Sequence, residues 1–117
     1  MLFLEYPPCS TCKKAKKWLD EHGIAYTDRH IKENNPTYEE LCSWLRSSGL
    51  PVKKFFNTSG LLYKSMELKD KLPDMSVEER LRLLATDGML VKRPIIVTED
   101  GRVLTGFREK DWAETLL

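Results

Sequence analysis

Long apolar runs are missing from this sequence of 117 residues, and without about 20 consecutive apolar residues no helix can span a bilayer. The apolar start, Met1 to Leu4, is brief and lacks the charged flank and cleavage site of a secretory leader. A cytoplasmic location and no membrane partner are expected. Nor does one charge dominate: 19 Lys and Arg stand against 18 Asp and Glu, a formal net charge of +1. Such a balance creates no global field to draw in nucleic acid, so any basic site must be local. Histidine is scarce, with two residues, and cysteine occurs three times. A structural zinc site needs four ligands, and Cys42, His22 and His30 have no ligand-like pairing with the remaining cysteines, so no metal is expected. An odd cysteine count in a reducing compartment argues against a disulfide framework and turns attention to the one close pair. Repeats, linkers and low-complexity segments are also missing.

What is present is an ordinary globular mix, 41% hydrophobic and 32% charged, in a length that suits one domain over 1–117. Leu2 to Glu5 read as a short strand, and Pro7-Pro8 interrupt any further pairing. From Thr11 the apolar residues Ala15, Trp18 and Leu19 recur at helical spacing, with Lys13, Lys14, Lys16 and Lys17 between them, until Gly23 offers a left-handed cap. Ile24 to Ile31 read as a second strand, completing a βαβ opening.

A helical block then occupies about 37–88. Thr37 to Glu40 and Ser76 to Glu79 match capping boxes. Between them lie a short helix around Phe55-Phe56, the turn Asn57-Thr58-Ser59-Gly60 and a helix over 62–72. The period changes again at Val91 to Val97, which read as a strand, and Asp100-Gly101 is a hairpin turn into Arg102 to Thr105. A last helix starts near Glu109. The predicted class is α/β, with a small mixed sheet built as βαβ then ββα and a helical insertion. Trp18, Trp44 and Trp112 are assigned to the core, and Cys42 to packing.

The chemistry gathers at Cys9-Ser10-Thr11-Cys12. A thiol at a helix N-terminus faces unpaired backbone N–H groups and the positive end of the helix dipole, which favour the thiolate. Lys13 and Lys14 are candidate local cations. A two-residue spacing also lets Cys12 return onto a mixed disulfide at Cys9. Packing of two reduced cysteines and metal binding are the competing readings. The preceding prolines and the strand-to-helix context favour redox or nucleophilic chemistry.

Tyr6-Pro7-Pro8-Cys9-Ser10-Thr11-Cys12-Lys13-Lys14-Ala15, Asn57-Thr58-Ser59-Gly60 and Lys92-Arg93-Pro94-Ile95-Ile96-Val97 together resemble the ArsC/Spx/YffB family over essentially the whole chain. The resemblance implies a thioredoxin-like (glutaredoxin-like) core with an inserted helical block and a cis Arg93-Pro94 bond facing the cysteine. It implies Cys9 as nucleophile, with Arg93 and Arg108 around an oxyanion, and places Asn57, Pro94 and Lys13 at the binding site. Arginine suits an oxyanion because its planar fork donates paired hydrogen bonds. By the same resemblance Asn57 stands where arsenate reductases carry a further arginine, and Cys12 where they carry no cysteine, which points to the Spx and YffB branches. The implied activity is a thiol-dependent oxidoreductase acting on a disulfide, a glutathione adduct or a small oxyanion. No cofactor is bound; glutathione is a co-substrate, or thioredoxin or glutaredoxin the reductant. The alternative is an Spx-like redox regulator that binds RNA polymerase. It ranks second because such regulators continue with a basic tail past the position where this chain ends, Leu117. Arg93 and Arg108 could otherwise be surface ion-pair residues.

Overall fold

The apolar strand at the start of the chain, β1 (Leu2–Glu5), lies inside the sheet rather than at its edge. The computed structural model describes residues 1–117. After β1 come α1 (Ser10–Glu21) and β2 (Thr27–His30), and β2 pairs parallel to β1 with Leu2 opposite Thr27 and Glu5 opposite His30. A parallel neighbour needs a crossover, and α1 supplies it. The hairpin β3 (Ile95–Val97) and β4 (Val103–Thr105) completes the order β2-β1-β3-β4, with β3 antiparallel to both β1 and β4. Gly101 sits at φ 87 in the hairpin turn, a conformation open to glycine.

Period-2 alternation divides the core. Leu4 and Ile95 face one way and join Ile31, Leu41, Phe55, Leu84 and others beneath the helical block. Phe3 and Ile96 face the other way and pack with Ala15, Trp18 and Leu19 of α1 and Trp112 of the last helix, α6 (Glu109–Leu116). The three tryptophans are all buried. Cys42 is half-buried against the first cluster.

The helical block comprises α2 (Tyr38–Ser48), a 3-10 turn (Val52–Phe55), α3 (Leu61–Ser65), α4 (Leu68–Lys71) and α5 (Val77–Leu84). Both capping boxes form: Thr37 accepts from Glu40 N–H and Ser76 from Glu79 N–H, each at 3.1 Å. The helix predicted over 62–72 is instead two short helices, broken where Glu67 takes φ 54. Tyr63 and Leu68 are both buried, and their spacing of five is too long for one helix face, so the chain must reset between them.

Two predicted strands are shorter than expected. The second runs Thr27–His30 rather than from Ile24. The strand predicted from Val91 begins only at Ile95, because residues 90–92 pair with the insertion instead. Lys92 N–H donates to Phe55 O at 2.7 Å, Asn57 N–H to Leu90 O at 2.8 Å, and Val91 bridges Phe56. The Arg93-Pro94 peptide is cis. No helix is long and apolar enough to cross a membrane.

Candidate active site

Pro7-Pro8 stop β1 and hand the chain to α1 through a turn closed by Cys9 N–H donating to Tyr6 O at 2.9 Å. Cys9 is the N-cap of α1, with extended backbone at φ −73, ψ 126. Its side chain makes no formal cap hydrogen bond, yet the Thr11 and Cys12 N–H groups lie close enough to act on its sulfur. Burial alone would raise the Cys9 thiol. The Cys12 N–H and thiol, the Arg93 guanidinium and the Thr11 N–H outweigh it and hold the pKa below the ordinary cysteine value.

Cys12 has the opposite character. It is fully buried, and its sulfur accepts from Tyr6 N–H at 3.5 Å. Burial first, and then the neighbouring Cys9, pushes its thiol up to about 12. The two sulfurs are free rather than bonded to each other. One is half-exposed and readily ionised; the other is buried and holds its proton.

Arg93 enters from the segment before β3. Its guanidinium carbon lies 5.1 Å from the centre of the Tyr6 ring, while Nε and Nη1 are buried without a hydrogen-bond partner. Buried donors are seldom left bare, so these two nitrogens await an acceptor. Cys9 and Arg93 open into a groove of about 880 Å³. Asn57 to Gly60 of the insertion form one wall and Thr105 to Arg108 the other. Lys53, Lys54, Lys92 and Arg108 join Arg93 around it, with Asp111 as the one acid, so the groove is positive although the chain is nearly neutral.

Asn57 is buried at the groove wall, where its side-chain oxygen accepts from Ser59 Oγ at 3.3 Å. A Cβ on Gly60 would fall 2.6 Å from Asn57 Nδ2 and 3.2 Å from Asn57 O, so a larger residue there would have to displace the Asn57 amide. Cys9, Arg93, Arg108 and Asn57 therefore meet in one groove. Lys13 and Pro94 do not. Lys13 is exposed and lies with Lys16, Lys17, Asp20 and Glu21 on the outer face of α1. Because Cys9 stands outside the helix in extended backbone, a spacing of one turn does not bring Lys13 to its sulfur. Pro94 is buried, with its carbonyl accepting from Gly106 N–H at 2.8 Å, and only the preceding Arg93 reaches the groove. Sequence reasoning passed over Lys53, Lys54 and Lys92; the pair Lys53-Lys54 before two phenylalanines was the available signal. No three His, Cys, Asp or Glu side chains gather in a way that could hold a metal ion.

The model of the ArsC family matches residues 4–115. Among curated proteins, YusI of Bacillus subtilis, an uncharacterized protein, is 51% identical over 97% of this chain and 96% of its own. The global transcriptional regulator Spx 2 of Bacillus cereus is 30% identical over 88% of this chain and 76% of its own. Among solved structures, an ArsC family related protein from Bacteroides fragilis superposes with TM-score 0.93 at 60% identity, covering 97% of this chain and 94% of that one. A possible arsenate reductase from Streptococcus mutans superposes with TM-score 0.87 at 47% identity, covering 96% of each.

Proposed function

This chain belongs to the ArsC family, and from that premise we propose that it is a thiol-dependent oxidoreductase with Cys9 as nucleophile and Cys12 as resolving thiol. The observation that carries the reading is the bare, buried Nε and Nη1 of Arg93 beside a half-exposed, acidified thiol. An anion at Cys9 would give those nitrogens their acceptor, whether it is the thiolate itself, a leaving thiolate or a small oxyanion.

In the reaction, the Cys9 thiolate attacks one sulfur of a substrate disulfide or glutathione adduct. That S–S bond breaks, a mixed disulfide forms on Cys9, and a thiolate leaves. Cys12 then attacks Cys9 Sγ and releases the second substrate thiol. Two electrons have passed from the dithiol to the substrate. Two glutathione thiols, or the dithiol of a thioredoxin or glutaredoxin, return the Cys9–Cys12 disulfide to its reduced form. The positive groove suits a substrate bearing carboxylates or an oxyanion.

Alkylation at graded pH, read by mass spectrometry, tests this. Cys9 is expected to react at lower pH than Cys12; equal reactivity of the two thiols defeats the reading. In a coupled assay with glutathione, Cys9→Ser is expected to abolish turnover and Cys12→Ser to reduce it only in part.

A second reading draws on the alignment with Spx 2 over 88% of the chain: a redox regulator in which the cysteine pair switches binding to RNA polymerase. Capture by the C-terminal domain of the polymerase α-subunit that depends on the redox state of the pair, without turnover, would favour it.

A further inference from the structure

Both sulfurs and the arginine of the site meet at Tyr6, where β1 runs out into the two prolines. Its carbonyl accepts from the Cys9 N–H at 2.9 Å, and its own N–H donates to Cys12 Sγ at 3.5 Å. Its ring takes up the third group: the Arg93 guanidinium carbon lies 5.1 Å from the ring centre, within the range of a cation–π contact. The two backbone contacts ask nothing of the side chain, whereas the third needs an aromatic face. That ring is itself held. His30 at the end of β2 packs against it edge to face, with centroids 5.7 Å apart and planes at 88°. The imidazole is fixed in turn, since its Nδ1 accepts from the N–H groups of Lys32 and Glu33 at 3.2 and 3.1 Å.

A carboxylate is the usual partner of a buried guanidinium. Such a partner would occupy the fork and cancel the charge. None of the ion pairs in this protein includes Arg93, and its Nε and Nη1 have no acceptor. An aromatic face attracts the cation through the ring quadrupole and consumes none of its N–H groups. It fixes the guanidinium in the groove that holds Cys9, and leaves both the charge and the donors for an anion formed or bound there.

Resting on Cys9 as the nucleophile, we infer that Tyr6 is a positioning residue: its ring fixes the Arg93 guanidinium beside Cys9 with Nε and Nη1 free to receive the substrate's anionic group. The ring acts through Arg93, and the Tyr6 hydroxyl enters none of these contacts. His30 braces the ring and so links the end of β2 to the arginine ahead of β3.

Alkylation of Cys9 by iodoacetate and by iodoacetamide, resolved by site with mass spectrometry, tests this. The two reagents share a leaving group and differ by one carboxylate. Their rate ratio reports the free donors of Arg93, and the pH midpoint with iodoacetamide reports its charge. Tyr6→Phe keeps the ring and is expected to match the parent in both. Tyr6→Leu is expected to lower the iodoacetate-to-iodoacetamide ratio and to raise the midpoint, each toward the value for Arg93→Met. Combined with Arg93→Met, Tyr6→Leu should cause no further change, because no cation is left for the ring to place. A parental ratio and midpoint in Tyr6→Leu overturns the inference. So does a Tyr6→Phe that departs from the parent, which would assign the effect to the hydroxyl. A Tyr6→Leu effect that persists in full without Arg93 overturns it too, since a loosened loop would then be the cause. A parent whose Cys9 ionises like an ordinary thiol defeats the nucleophile reading as well; an acidic Cys9 indifferent to Tyr6 defeats this inference alone.

Discussion

Arg93 carries the strongest unmet demand in the molecule, because two of its buried nitrogens have no acceptor. Removing the guanidinium takes away one of the groups that hold the Cys9 thiol down. Arg93→Met is therefore expected to raise the pH at which Cys9 ionises, followed through thiolate absorbance. It should slow alkylation below and near that pH, because less of the thiol is then thiolate. Arg93→Lys should recover part of the rate, since a point charge replaces a fork. The cysteine pair and its helix-end position are readable in the sequence because each rests on neighbours within four residues. The bare nitrogens are not, since Arg93 meets Tyr6 and the groove only in the folded chain. Lys13 shows the reverse error, where closeness in sequence suggested a contact that backbone geometry denies.

Elements held by local contacts are the ones the sequence announces. Both capping boxes and the turn at Asp100-Gly101 need only residues a few positions apart, and all three form. The break at Glu67 and the late start of β3 are set by packing between distant segments, so periodicity does not reveal them. Ser76→Ala is expected to cost about 1 kcal/mol by removing the cap of α5, read from urea midpoints. Gly88 offers a harsher test. A Cβ there would fall 1.8 Å from Ile31 O, a backbone atom that cannot swing aside. Gly88→Ala should therefore cost more than about 2 kcal/mol and pull the end of β2 away from the segment leading to Arg93.

Stability against pH belongs to the folded chain as a unit, and two carboxyls act on it in opposite senses. Glu40, held by Arg29 down to about 2, adds stability above pH 4.5 that is lost as pH falls toward 2. Glu5, raised from 4.5 to about 7 by burial and Asp28, binds its proton more tightly folded than unfolded. Its contribution is complete below pH 4.5 and is lost as pH climbs to about 7. Thermal melts of Glu5→Gln should accordingly decline less than the parent between those values. The parent should melt lowest near pH 2, where the Arg29 pair is broken.

The place of β1 between β2 and β3 has a consequence for how the protein is made. Synthesis delivers the sulfur-bearing end first, yet one flank of its strand must wait for Ile95–Val97 to leave the ribosome. A nascent chain halted before that point has a naked strand edge and no arginine above Cys9. Its thiol should then alkylate like that of an unstructured peptide, so thiol acidity doubles as a report that translation has run to the hairpin.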